Sequence, residues 1–184
     1  MKKISIIFVC LAAMSALAAE TKGSANSGKK ESTMQAGVWG GYGIQLTNNV
    51  DGVSGGGIAF GGDFLMGSGF QYGLGVSYVT LATSSAILPI TVQANYFFLP
   101  NLYAGVSAGY GIFVGTSVPG TSQTHIPVSA KIGYQMDLDS VLLDLGLQDT
   151  LVFSNVSTEV LGTKVSTSST TMYLTPYVRV AMKF

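Results

Sequence analysis

The residues able to do chemistry are few and far apart. The one histidine is His125, followed by Ile126 and Pro127. A hydroxyl nucleophile needs a base within hydrogen-bond reach, and Ser122 and Ser129 are the serines near His125 in the chain. Neither spacing makes a nucleophile–base pair, so His125 reads as a rim residue. The one cysteine, Cys10, lies in the first apolar stretch. No His/Cys set has transition-metal spacing, and there is neither a GxGxxG nor a phosphate-binding loop. The residues therefore read as non-enzymatic, with no cofactor. The remaining candidates are four isolated charges, Asp63, Lys131, Asp144 and Arg179.

What must position those charges follows from the composition. Charged residues make up 10% of the 184, against roughly a quarter in ordinary globular domains. Between Asp63 and Lys131 there is none at all. A water-facing surface over that span would need charge, whereas a disordered chain would be poor in apolar residues, not 47% apolar. The formal net charge is zero, which leaves no basic surface to hold nucleic acid.

Residues 1–18 have the three parts of a secretory signal peptide. Lys2 and Lys3 give the positive start, Ile4 to Met14 the apolar stretch, and Ala16-Leu17-Ala18 the small-x-small cleavage site. The apolar stretch is shorter than the ~20 residues of a spanning helix. Cleavage after Ala18 removes Cys10 and leaves no thiol chemistry. Residues 19–33 are rich in Lys, Ser and Gly and read as a flexible periplasmic lead.

From Met34 to Phe184 the apolar pattern has period two, the period of a strand with two unlike faces. Phe70, Tyr72, Leu74, Val76 and Tyr78 alternate with Gln71, Gly73, Gly75 and Ser77. Eight such segments are expected, at about 34–46, 57–67, 70–83, 86–98, 102–115, 125–137, 141–153 and 171–184. Tight turns fall at Gly67-Ser68-Gly69, Leu99-Pro100-Asn101 and Asp137 to Ser140, and longer loops near 47–56, 116–124 and 154–170. Short turns on one side and long loops on the other mark an eight-stranded antiparallel transmembrane β-barrel. If the apolar face pointed inward, the outside would be glycine and serine with hardly any charge. The apolar face must therefore face lipid. Aromatics cluster toward both strand ends, as two interfacial girdles would require.

In this signal peptide, strand count, the run Leu99-Pro100-Asn101-Leu102-Tyr103-Ala104-Gly105 and the ending Tyr177-Val178-Arg179-Val180-Ala181-Met182-Lys183-Phe184, the chain resembles the small eight-stranded bacterial outer-membrane barrels of the OmpA-domain, OmpX and OmpW kind. The resemblance implies a place in the bacterial outer membrane among its lipids. It also implies that Phe184, on the C-terminal strand, is part of the signal read by the barrel-insertion machinery. Members of that family include passive anchors, adhesins, lipid enzymes and small-molecule conduits. Lipid deacylases of similar shape carry a His-x-Ser pair, and here Pro127 stands at the serine's place.

In such a barrel the interior is about wide enough for side chains to fill. Asp63, Lys131, Asp144 and Arg179 all fall on the inward face at similar depth, two of each sign, and buried charges must pair. They are expected to form one lumenal ion network, plugging the barrel. Asp149 falls on the lipid face and Pro176 cannot donate to a ladder. Counted from the turns they lie at equal height, marking either a bulge or a lateral notch between strands seven and eight. The expected function is a structural or surface-interacting barrel protein with a largely filled lumen. The alternative is a narrow conduit for a small apolar or weakly polar ligand.

Overall fold

In a computed structural model of the chain, the described residues are 33–46, 56–82, 85–115, 121–160 and 163–184. The signal peptide and all but the last residue of the lead lie outside them. The eight strands are β1 (Met34–Gln45), β2 (Gly56–Met66), β3 (Phe70–Ala82), β4 (Ser85–Phe97), β5 (Leu102–Gly115), β6 (Thr121–Leu138), β7 (Val141–Val160) and β8 (Thr163–Lys183). Each pairs antiparallel with the next, and β8 closes on β1.

The alternation decides which face goes where. Val38, Ile58, Leu74, Val92, Ile132 and Met182 are each more than half exposed, while their chain neighbours turn inward. Apolar residues stand outside in every strand, which is stable only against lipid. Closure leaves no unpaired edge within that belt. The turns follow local chemistry. Gly67 has φ 110°, and Asp139, in the two-residue turn between Leu138 and Val141, has φ 61°. Both lie in the left-handed region, which glycine and, among side chains, Asp tolerate best.

The register fixes the shape. From Gln35 the pairing runs through Leu65, Gly73, Gln93, Ser107, Ser129, Thr150 and Tyr173, and returns to β1 at Gln45, ten residues higher. With about 3.3 Å per residue and 4.8 Å between strands, a shear of ten over eight strands gives a tilt of about 41°, typical of barrels. Each residue then climbs about 2.5 Å along the barrel axis.

The upper ends differ from expectation. Residues 154–160 and 163–170 continue β7 and β8 as a ribbon, with Ser154 opposite Ser169 and Ser157 opposite Ser166. β6 also starts earlier than 125, with Thr121 opposite Thr158. Backbone hydrogen bonding holds this ribbon with little help from apolar contrast, because its outer face is polar and its inner face mixes Val156 and Val165 with Ser and Thr. The result is a three-stranded lip rising about 20 Å above the top of β1.

Candidate functional site

Inward positions of the lower half carry the charges. Arg179 on β8 reaches across the lumen to β2, where its Nη2 lies 2.7 Å from Asp63 Oδ1. Its Nε donates to both Asp63 oxygens at 2.9 Å. The other arm, Nη1, lies 2.8 Å from Asp144 Oδ2 on β7. All three side chains are almost wholly buried. Gly37 makes room for the guanidinium, since a Cβ there would fall 2.8 Å from Arg179 Nε.

Lys131 stands apart. Its Nζ donates to Gln93 Oε1 at 2.8 Å, and among the described residues it joins no ion pair. The structure thus links three of the four lumenal charges by direct contact and leaves Lys131 about 4 Å higher than Arg179. Lys131 stands on β6, two strands from Arg179, and its ammonium turns toward β4 and Gln93 rather than toward the cluster.

Two tyrosines close the space beside the cluster. Tyr103 and Tyr177 share a hydrogen bond between hydroxyls, 2.6 Å apart. Each ring lies where a Cβ at Gly133 or Gly146 would come within 2.6 Å of it. Around and below them Gln35, Leu65, Gln71, Asn95, Leu142 and Ala181 are each 3% exposed or less. The lower lumen is solid.

The upper lumen is not. A cavity of about 60 Å³ lies above the cluster, bounded by Trp39, Ser129, Lys131, Thr150 and Arg179 among others. Ile87, Val152 and Tyr173, with Val79 against them, form an apolar layer at its upper end. The lumen is therefore filled below and partly open above, rather than filled throughout.

At the barrel mouth, His125 is buried against Phe113, with ring centroids 5.9 Å apart. Its Nδ1 lies 2.8 Å from Ser154 Oγ and its Nε2 3.4 Å from Gln123 Oε1. Neither Ser122 nor Ser129 is its partner. Ser154 was findable: counting outward from the turn at Asp139-Ser140 puts it opposite His125. Phe184 closes the chain, its N–H donating to Met34 O at 2.9 Å, with its side chain exposed.

The notch between strands seven and eight is corrected by the register. The β7–β8 ladder runs from Val141–Met182 to Val160–Thr163 with no shift and no skipped pair. Asp149 faces Leu174, whereas Pro176 faces Leu147, so they are not opposite one another and there is no bulge. The missing amide of Pro176 points the other way. On the β8–β1 seam the pairs Tyr42–Pro176 and Gly43–Thr175 are skipped, although the register is the same on both sides. Pro89 does the same on the β3–β4 seam and Pro127 on the β5–β6 seam. Asp149 sits about level with the outward Tyr42, Phe60 and Tyr78. That places it in the upper aromatic girdle, where a charge on the lipid face costs little.

No family model matches this chain, and no curated protein sequence matches it. Among solved structures it is similar to the outer-membrane protein AlkL determined in lipid bilayers, with a TM-score of 0.56 and 14% identity over 88% of this chain and 94% of that one. It is also similar to the outer-membrane protein OprG from Pseudomonas aeruginosa, at 0.49 and 13% over 83% and 95%. A designed transmembrane β-barrel aligns over 86% of this chain, at 0.42 and 11%. With its closed antiparallel sheet, lipid-facing apolar surface and the AlkL likeness, the chain has the fold of the small eight-stranded outer-membrane barrels.

Proposed function

We propose that this chain is an exported, non-enzymatic protein of the bacterial outer membrane, a closed scaffold that carries its three-stranded lip outward for a structural or surface-interaction role. One observation carries this reading: the solid lower lumen, where Tyr103, Leu142, Asp144 and Arg179 are each 3% exposed or less. Ions have no route through such a layer. The C-terminal strand ending at Phe184 addresses the chain to the insertion machinery. Single-channel recording of the refolded mature barrel in a planar bilayer tests the closed reading, with folding verified by faster gel migration before boiling than after. Silence is expected. Steady openings that change in Asp144→Asn or Arg179→Gln would overturn it and make the ion cluster a gate.

A second reading is favoured by the skipped rungs. Gly43 and Thr175 border both the cavity and the β8–β1 seam. A small apolar solute entering at the mouth would leave sideways there into the bilayer, without crossing the plugged half. A disulfide across Gly43→Cys and Thr175→Cys would then abolish uptake in vesicles. Unchanged uptake would leave the scaffold reading alone.

A further inference from the structure

The cavity above the ion cluster joins two unlike ends. Its lower end holds Lys131, whose ammonium has three donors and, among the described residues, one acceptor, Gln93. Arg179 is occupied by both carboxylates. The upper end is mostly apolar, with Ile87, Val152 and the Tyr173 ring packed together and Val79 against them. A volume of about 60 Å³ has room for about four to six waters, or a ligand of as many heavy atoms.

We infer that this cavity binds a small neutral oxygen-bearing amphiphile, such as a short-chain alcohol, with its oxygen on Lys131 and its alkyl end beneath Ile87 and Val152. The charge count selects neutrality. Asp63 and Asp144 against Arg179 and Lys131 sum to zero, so a neutral ligand keeps the buried balance. A carboxylate would leave one uncompensated negative charge, which burial penalises. The open donors of Lys131 then need an oxygen that accepts without bringing charge. The site requires neither conduction nor lateral exit.

Trp39 is the one tryptophan and it borders this cavity, so its indole N–H resonance reports occupancy without assignment. The experiment titrates n-butanol and, separately, sodium butyrate into the refolded, nitrogen-15-labelled mature barrel in micelles. Butanol is expected to move the Trp39 resonance saturably and butyrate to leave it in place. Lys131→Met should weaken butanol binding about tenfold, the loss of one charge-assisted hydrogen bond. Thr150→Leu, which fills the cavity without touching the ion cluster, should abolish saturation and serves if Lys131→Met does not fold. A linear shift identical in wild type and variants would mean partition into detergent and overturn the site. Saturation by butyrate in place of butanol would overturn its neutral character. Neither result bears on conductance, so this inference and the closed-scaffold reading fail separately.

Discussion

Arg179 is the residue on which the lower lumen turns. Its guanidinium meets two carboxylates from either flank of its own strand, Asp144 on the adjoining β7 and Asp63 on β2 beyond β1, and a bidentate arrangement fixes direction as well as charge. Removing it leaves two buried negative charges facing each other. Arg179→Met should therefore destabilise the barrel by about 3–5 kcal/mol, read from urea unfolding in lipid vesicles. Asp63→Asn with Asp144→Asn should leave Arg179 similarly stranded. A smaller effect is expected at Gly133, where Ala would push into the Tyr103 ring and cost about 1–3 kcal/mol by overpacking. How far these residues were legible in sequence depends on the distance counted. Asp63, Asp144 and Arg179 announce themselves as rare charges on the inward face. Gln93 as the partner of Lys131 does not, because it lies two strands away and nothing in its own neighbourhood distinguishes it from any inward polar residue.

At the scale of strands, the periodicity located each lower end, because there a lipid-facing apolar residue alternates with an inward polar one and glycines or Asp mark the turns. It lost β7 and β8 above residue 153 for a physical reason. Outside the membrane both faces of a strand meet water, so Ser and Thr serve on either side and Val156 and Val165 alone give too weak a contrast to mark the period. The three breaks in pairing, two pairs at each proline, were half legible: each proline was visible, but which neighbour it deprives is set by the register. Pro176→Ala should restore a donor facing Tyr42 O. The new amide is expected to be protected from exchange, and the seam around it slower to exchange than in wild type, measured by NMR. Shortening the lip by deleting residues 156–167 should leave heat-dependent gel migration intact, since among the described residues this segment pairs with itself and with the start of β6, above the lipid-facing belt.

As a whole, the described barrel is a cup whose strands end at uneven heights. Among the described residues β1 and β2 end about 20 Å below β7 and β8, with β3 to β6 stepping up between them, so the described wall is tall along one arc and low along the rest. A barrel with a level rim looks the same to a neighbour from every side of the membrane plane. This one has a compass bearing. The described lip turns Val165 and Thr167 toward the barrel axis and Ser122, Asn155 and Ser166 away from it. Rotation about the membrane normal, a motion without consequence for a symmetric pore, here decides which of two chemically different surfaces a neighbour encounters.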